Sequence, residues 1–160
     1  MKWLSVMAYR GDRRAVPHSE NSAQASEVDR VALLPALEAL IKTEPWGSDD
    51  AVVRQLKSAD AAIEQGVHQR CFARVVDGEV VASCRLFSDG STAQIEDVAT
   101  VPGHRQRGYA DAVVTRAAAE ALAEHDLLFI NAVDGRWVKR WYERLGFEQV
   151  GLRYEATRTA

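Results

Sequence analysis

The sequence has no long apolar run. Its longest uninterrupted apolar stretches, such as residues 31–34 and 127–130, are far shorter than the roughly 20 residues that a membrane-spanning helix needs. The residues before Tyr9 also contain too short an apolar segment for a signal peptide. We therefore expect a cytoplasmic protein that has no membrane partner.

Basic residues are in the minority as well. The chain has 20 Lys and Arg against 23 Asp and Glu, a net charge of −3, whereas a general nucleic-acid binder usually has a strong basic excess. Residues 17–64 hold nine acidic and four basic side chains, while the stretch around Arg105 and the segment from Arg136 onward lean positive. This asymmetry suits a cationic ligand at the first half and an anionic one at the second, although a solvated surface also produces such imbalances.

Cysteine and histidine are too few and too scattered to predict a metal site. The four histidines, at positions 18, 68, 104 and 125, have no ligand spacing. Cys71 and Cys84 flank a predicted hairpin with Asp77 and Gly78 at its turn, because these two residues tolerate left-handed backbone angles. A two-residue turn sets the cysteines opposite each other unless a bulge shifts the register. In a cytoplasmic protein we expect two free thiols rather than a disulfide.

What the sequence does have is the length and the pattern of one α/β domain. With 160 residues, of which 47% are hydrophobic, we expect a single domain over 1–160, with residues 1–25 partly mobile. Hydrophobic periodicity predicts strands at 3–9, 70–87 (the hairpin), 91–101, 125–133 and 147–155, and helices at 26–41, 49–65, 108–124 and 135–145.

Several residues predict where these helices begin and end. Ser26 with Asp29 is typical of a helix start, and Pro35 must begin, kink or split the first helix, since it lacks an amide hydrogen. Ser48 or Asp49 can cap the second helix. The glycines at 66 and 146 are predicted to end the second and the last helix.

The stretch VPGHRQRGYADAVV, residues 101–114, joins the end of a strand to the start of a helix. The first amide hydrogens of a helix have no partner inside it, and its dipole adds partial positive charge, so such a turn suits an anion. Gly108 lets the backbone approach a ligand closely, and Arg105 and Arg107 add attraction. The motifs of a nucleoside triphosphate loop and of a dinucleotide turn are missing. An ordinary strand-to-helix turn remains the alternative.

Three segments resemble the GNAT superfamily of N-acetyltransferases. Residues 105–110, Arg-Gln-Arg-Gly-Tyr-Ala, fit its Arg/Gln-x-x-Gly-x-Gly/Ala signature. The segment IEDVATVP at 95–102 is similar to its fourth strand, and WYERLGFEQVG at 141–151 to its Tyr-x-x-x-Gly-Phe segment. The resemblance covers roughly residues 70–151. It implies an α/β fold with a central mixed, mostly antiparallel sheet of six or seven strands, flanked by about four helices.

The resemblance also implies how acetyl-CoA would be held. Main-chain amides of the signature would cradle its pyrophosphate, and main-chain groups at the end of the preceding strand would pair with its pantetheine arm, as an added strand would. The residues implied are Arg105, Gln106, Arg107, Gly108, Tyr109 and Ala110 for the pyrophosphate, and Val98, Thr100 and Val101 for pantetheine.

Two catalytic residues are implied by the same resemblance. Tyr142 occupies the place of the general acid that protonates the departing thiolate, and Glu96 is the candidate base, acting through water, with Asp97 as second choice. Strand alternation puts these two carboxylates on opposite faces unless a bulge intervenes. Many members have Asn where this chain has Gly135, so a pantetheine contact is lost or supplied otherwise. The alternative is that Tyr142 only packs on the core and Glu96 only faces solvent or an arginine.

The implied function is transfer of an acetyl group from acetyl-CoA directly to a primary amine of a small molecule or peptide. A non-catalytic acyl-CoA-binding or sensing domain is the main alternative, and an unrelated anion-binding module is a third. A homodimer through the last strand is compatible with the sequence. We interpret Trp137 and Trp141 as core packing or as walls of an acceptor groove rather than as cofactor contacts.

Overall fold

One seven-stranded sheet organises the part of the chain that the computed structural model describes, residues 2–15, 22–133 and 137–156. The strands are β1 (Lys2–Tyr9), β2 (Ala25–Val28), β3 (His68–Val76), β4 (Glu79–Asp89), β5 (Thr92–Thr100), β6 (Leu127–Val133) and β7 (Phe147–Glu155). The helices are α1 (Arg30–Ile41), α2 (Asp50–Gly66), α3 (Tyr109–Glu124) and α4 (Trp137–Arg144). The strand order is β2-β3-β4-β5-β6-β1-β7; β5 and β6 pair in parallel, and the other five neighbouring pairs are antiparallel. This confirms the predicted mixed, mostly antiparallel sheet.

The first strand of the chain lies between two of the last ones. β1 pairs antiparallel with β6 on one side and with β7 on the other, so β7 runs parallel to β6. The two crossovers, α3 from β5 to β6 and α4 from β6 to β7, advance in the same direction and therefore cover the same face of the sheet. The largest buried side chains on this face are Met7, Phe72, Leu86, Ile95, Val113, Val114, Leu128, Ile130 and Phe147.

Helix α1 covers the opposite face of β3 and β4. Cys71 and Ala73 alternate with Phe72 along β3, and they pack against Leu33 of α1 in a separate small core. The helix runs unbroken across Pro35, which therefore neither begins nor splits it. Proline removes one hydrogen bond from the helix, and burial of the helix against the sheet outweighs that loss.

The predicted loop and helix start near residue 25 are wrong. Ala25–Val28 form β2 and pair antiparallel with β3, whereas α1 begins at Arg30. Asp29 is the N-cap residue, without a hydrogen bond from its side chain, and Ser26 lies within the strand. Pairing with β3 is a long-range interaction that overrides the local capping pattern. Part of the segment expected to be mobile, residues 16–21, lies outside the described residues.

The β3–β4 hairpin has the predicted turn and a different register. Asp77 and Gly78 have φ angles of 51° and 81°, as a tight hairpin turn requires. A bulge then places one extra residue on β4, so that Phe72 rather than Cys71 lies opposite Cys84. The predicted opposition of the two cysteines is therefore wrong, and both are buried and form no disulfide.

Two helix boundaries, the start of α2 and the end of α4, lie where the local sequence predicts them. The Asp49 carboxylate caps α2 by accepting hydrogen bonds from the amides of Ala51 at 2.9 Å and Val52 at 3.3 Å. Gly146 ends α4 with a φ angle of 97°, as predicted. Gly66 is the last residue of α2 itself and has no left-handed conformation. None of the described helices combines the length and the apolar character needed to cross a membrane.

Arg70 of β3 joins three elements. Its largely buried guanidinium lies 2.8 Å from the Glu27 carboxylate of β2, and 3.0 Å and 3.4 Å from Glu120 and Glu124 of α3. The hydrogen bond from Arg70 lowers the pKa of Glu27, and another lowers the pKa of Glu120. One cation therefore fastens the short edge strand β2 to the long crossover helix.

We predict that Arg70→Met lowers the free energy of unfolding by about 1–3 kcal/mol, because it leaves three carboxylates facing one another without their donor. The pKa values of Glu27 and Glu120 are lowered in the folded state, so this stabilisation is present above their ordinary value of 4.5 and is lost as the pH falls. Urea unfolding at neutral and acid pH measures both effects.

Lys42→Met is the matched control, since Lys42 makes an exposed ion pair with Glu38. We expect it to change stability little. Equal effects of the two substitutions at neutral pH would contradict the role assigned to Arg70.

Candidate functional site

The two parallel strands at the centre of the sheet separate partway along their length. β5 and β6 pair from Thr92 and Leu127 to Ile95 and Ile130, after which both strands continue without pairing to each other. Their carboxyl ends therefore form a fork within the sheet, and the fork opens at the end of the sheet where these two strands finish. In α/β sheets, ligands bind at openings of this kind, outside the carboxyl ends of diverging strands.

The loop between β5 and α3 lies at the mouth of this fork. A short 3-10 turn, Pro102–His104, is followed by Gln106 and Gly108 with φ angles of 61° and 75°, and α3 begins at Tyr109. The first hydrogen bond inside the helix runs from the amide of Ala112 to the carbonyl of Gly108, at 3.1 Å. The amides before it have no intrahelical partner, so this turn presents several donors to one point. The geometry suits a diphosphate.

The open edge of β5 presents main-chain groups to the fork. The Val101 amide donates to the Val81 carbonyl at 2.9 Å, which directs it toward β4. Because main-chain groups alternate along a strand, those of Thr100 and Val98 are directed to the opposite, unpaired side. Arg105 lies across this edge and donates from Nε to the Thr100 carbonyl at 3.2 Å. Of the three residues implied for pantetheine, Val98 and Thr100 therefore face the fork, whereas Val101 has both main-chain groups engaged within the protein.

A bulge does intervene between the two candidate bases. The register of β4 and β5 shifts after Arg85 and Glu96, and Asp97 has a left-handed φ angle of 52°. Asp97 turns to Arg85, whose Nε donates to its carboxylate at 2.6 Å, and the Arg85 guanidinium lies over the Phe87 ring. The Asp97 carboxylate is thus neutralised by an ion pair, which leaves Glu96 as the carboxylate at the fork.

Glu96 lies at the branch point itself, one residue beyond the last β5–β6 pair. Its Oε1 accepts a hydrogen bond from Asn131 of β6 at 3.1 Å and another from Gln94. Burial raises the pKa of Glu96, the two amide donors lower it in part, and the charge of Asp97 raises it further. A carboxylate whose pKa is raised by burial binds a proton more strongly than an exposed one, as a general base at neutral pH requires.

Tyr142 of α4 is buried in the core on the face of the sheet that α3 and α4 cover. Only 4% of its surface is exposed, and its ring lies 4.8 Å from that of Trp141 and 6.0 Å from that of Phe147. Burial raises its pKa, and negative charge on Cys84 or Glu96 raises it further, so the phenol keeps its proton at neutral pH. Tyr142 therefore packs on the core and keeps a proton whose binding the charge of Glu96 strengthens.

The fold brings together residues that sequence reasoning did not identify. Asn131 and Arg85 hold the two carboxylates, and the Trp141 indole donates from Nε1 to the Asp111 carboxylate in the first turn of α3, at 2.6 Å. The alternation of Leu128, Ile130 and Ala132 could have placed Asn131 opposite the core, but its partner follows only from the pairing of β5 with β6. Gly135 lies outside the described residues. The described part of the chain contains no cluster of three His, Cys, Asp or Glu able to hold a metal ion.

We predict that Glu96→Gln raises the melting temperature at neutral pH by about 2–4 °C, the shift that roughly 1 kcal/mol produces in a domain of this size. The pKa of Glu96 is raised on folding, so its ionisation costs stability as the pH rises from the ordinary pKa of the carboxyl group to the raised one. The amide avoids this cost, and the difference from wild type should vanish at acid pH.

Asp97→Asn is the matched control, because it removes the partner of Arg85 and should lower the melting temperature instead. A Glu96→Gln protein that is less stable than wild type at neutral pH would show that the Glu96 charge is not a cost to the fold.

The comparisons with known proteins agree with this geometry. The sequence model of the acetyltransferase (GNAT) family matches residues 34–147. The solved GCN5-related N-acetyltransferase from Kribbella flavida is 19% identical, covers 95% of this chain and 56% of its own, and has a TM-score of 0.61. An acetyltransferase from Trypanosoma brucei is 19% identical over 85% of this chain and 97% of its own, with a TM-score of 0.58. AAC(6')-Iy, in complex with the bisubstrate analogue CoA-S-monomethyl-acetylneamine, is 18% identical, with the same coverage and a TM-score of 0.58.

These structures establish a common fold, since their identities to this chain are below 25%. The chain spans 61%, 59% and 56% of the length of three longer structures that it matches. No curated protein matches it in sequence. The family match extends over well over half of the chain and includes the fork, the loop at its mouth and all of α4. The chain therefore belongs to the acetyltransferase (GNAT) family.

Proposed function

We propose that this protein is an N-acetyltransferase that transfers the acetyl group of acetyl-CoA directly to a primary amine. The observation that carries the proposal is the fork between β5 and β6, with the donor-rich start of α3 at its mouth and Glu96 at its branch point. One end of this cleft suits a diphosphate and the other holds a base, so a thioester lying along it would meet an amine at the branch point.

The chain would bind acetyl-CoA through its main chain. Amides of Arg107, Gly108 and Ala110 would donate to the diphosphate, helped by the positive end of the α3 dipole. Val98 and Thr100 would pair with the pantetheine amides along the open edge of β5, as an added strand does. This mode of binding depends on backbone geometry rather than on particular side chains, which explains why single residues in the signature carry little information by themselves.

Glu96 would remove the proton that keeps the acceptor amine unreactive. An alkyl amine has a pKa near 10.4, so at pH 7 only about one molecule in 2,500 is neutral. Glu96 takes this proton, through water, into a carboxylate whose affinity for protons burial has raised. The freed nitrogen then forms a bond to the acetyl carbon, and the bond from that carbon to sulfur breaks.

Tyr142 would supply the proton that the departing thiolate needs. Its phenol is held protonated by burial, and negative charge at Glu96 raises its pKa further. After transfer, the new amide nitrogen gives up its second proton, through water, to the tyrosinate, while Glu96 releases to solvent the proton that it took from the amine. The balance of the reaction is one acetyl group moved and one proton released.

The acceptor would approach the face of the sheet that carries Glu96, Asp97 and Gln94. The Glu96 carboxylate there favours a cationic amine, whereas the Asp97 carboxylate is neutralised by its ion pair with Arg85. A small molecule or a peptide with a primary amine satisfies these constraints. AAC(6')-Iy, whose fold this chain shares, has been solved with an analogue that joins CoA to an acetylated amine compound, which supports a direct transfer between neighbouring sites.

We predict that acetyl-CoA at micromolar concentration raises the melting temperature of the wild-type protein, and that Gly108→Asp abolishes the rise. An aspartate at this position, where φ is 75°, places a negative charge and a side chain where the diphosphate would lie. Differential scanning fluorimetry with and without acetyl-CoA measures the effect, each variant being compared with its own unliganded form.

Gly66→Asp is the control, because a Cβ at Gly66 meets nothing within 4 Å and the residue lies at the end of α2. It adds the same charge and should keep the full shift. If acetyl-CoA fails to stabilise the wild-type protein, the proposal is wrong.

We predict that Tyr142→Phe lowers kcat roughly tenfold or more and leaves the affinity for acetyl-CoA unchanged. The phenylalanine ring keeps the packing against Trp141 and Phe147, so the loss is confined to the proton donor. Release of free CoA thiol with a panel of primary amines measures turnover, and calorimetry measures binding.

An unchanged kcat would remove Tyr142 as the acid. Binding of acetyl-CoA without thiol release on any amine would instead favour a domain that senses acyl-CoA. The pH profile of kcat/KM tests Glu96 separately from Tyr142. The value should fall at acid pH as Glu96 becomes protonated, and this fall should be absent in Glu96→Gln.

A further inference from the structure

The first residue of α4 carries an indole that the core does not use. Trp137 is 66% exposed, whereas Trp141, one turn later on the same helix, is 9% exposed and lies in the core. The two rings are 6.0 Å apart. Single exposed apolar side chains are common, so exposure by itself means little. The position of Trp137 relative to the anion-binding turn carries the inference.

Helices α3 and α4 begin at the same end of the sheet, where strands β5 and β6 finish. Each follows a parallel strand, β5 or β6, and each returns across the same face, so their amino ends lie side by side. The hydrogen bond from Trp141 to Asp111 joins the two helices and sets Trp141 at the level of the first turn of α3.

This hydrogen bond fixes the height of Trp137 as well. Trp137 precedes Trp141 by four residues and Gly108 precedes Asp111 by three, which at 1.5 Å per residue corresponds to about 6 Å and 4.5 Å toward the amino ends. The Trp137 ring lies 6.0 Å from the Trp141 ring, which contacts Asp111 in the first turn of α3, so Trp137 lies near the amino end of the neighbouring helix. An indole in this place borders the donors that would hold the diphosphate.

On the side of the α3 start away from α4, the Tyr109 ring already has neighbouring side chains. The Arg74 guanidinium lies 5.5 Å from the centre of the Tyr109 ring, and the His104 ring lies 6.3 Å from it. With pantetheine in the fork, the nucleoside half of the ligand must leave the diphosphate in another direction. On the side toward α4 lies the flat aromatic ring of Trp137, which is largely exposed.

In contrast to the interpretation of Trp137 from the sequence, we propose that Trp137 stacks on the adenine ring of acetyl-CoA and provides the main side-chain contact to its nucleoside half. This inference rests on the proposed function, because it requires the diphosphate to lie at the start of α3. Every base has a π-face, and stacking on a tryptophan adds affinity without any hydrogen-bond pattern. The contact makes the site select a full coenzyme over carriers that end at the phosphopantetheine phosphate.

Two ligands test the inference by calorimetry: acetyl-CoA, and S-acetyl-4'-phosphopantetheine, which lacks the nucleoside. We expect Trp137→Ala to weaken binding of acetyl-CoA roughly five- to tenfold and to leave binding of S-acetyl-4'-phosphopantetheine unchanged. Trp137→Phe keeps an aromatic surface and should recover most of the affinity for acetyl-CoA. Trp46→Ala, which alters a partly exposed indole in the connection before α2, should affect neither ligand.

Equal loss of both ligands in Trp137→Ala would mean that the residue only supports α4, and an unchanged affinity for acetyl-CoA would mean that the adenine lies elsewhere. Either result overturns the inference while leaving the proposed function in place. A wild-type protein that binds neither ligand would overturn both.

Discussion

The separation of β5 and β6 after Ile95 and Ile130 is the constraint on which the candidate site depends. Ending a ladder in the middle of a sheet exposes main-chain donors and acceptors that pairing would otherwise satisfy. Each strand stays paired on its other edge, β5 with β4 and β6 with β1, and across the fork itself only the side chains of Asn131 and Glu96 are joined by a hydrogen bond in the described residues. The remaining groups on the open edge of β5 are those that an extended, amide-containing ligand can pair with.

Two adjacent carboxylates acquire different properties from this arrangement. Asp97 adopts a left-handed conformation, turns to Arg85 and is held as the anion of an ion pair. Glu96 stays at the branch point, where burial raises its pKa and amide donors hold it in place. Because of the bulge, Asp97 can form a structural ion pair while its neighbour Glu96 stays at the branch point as the candidate base. Without the bulge, alternation would give each carboxylate a face of the sheet and no common neighbourhood.

The sequence predicts those parts of the fold that depend on neighbouring residues. The turn at Asp77 and Gly78, the cap at Asp49 and the helix end at Gly146 need particular backbone angles or a particular side chain, and these are visible in a few letters of sequence. β2 could not be predicted in this way, because its four residues, two of them polar, become a strand only through pairing with β3. The bulges in the β3–β4 and β4–β5 ladders are equally hidden, since the hydrophobic alternation on either side of each looks regular.

The residues of the candidate site also divide into those that neighbouring sequence predicts and those that depend on long-range pairing. The start of α3 was identifiable, because an anion-binding turn is a local feature with glycine at a left-handed position. The partners of Glu96 and Asp97 were not, since Asn131 is 35 residues from Glu96 and Arg85 is brought beside Asp97 by a register shift. The residues of the signature could be assigned from sequence. Asn131 and Arg85, which hold the two carboxylates, could be identified only from the pairing of the strands.

The position of Tyr142 depends in turn on the strand at the beginning of the chain. β7 reaches the sheet through β1, so α4, which carries Tyr142, is anchored at one end by β6 and at the other by β1. The Gly146 carbonyl accepts hydrogen bonds from the amides of Arg10 and Gly11, at 2.9 Å and 3.2 Å. A Cβ at Gly146 would meet Cε2 of Tyr9 at 2.9 Å, so this position needs glycine both for its backbone angle and for the close approach of the Tyr9 ring. The proton donor proposed for the reaction is thus held in place by the first ten or so residues of the chain, far from it in sequence, and its geometry is a property of the whole sheet rather than of the segment that resembles the family.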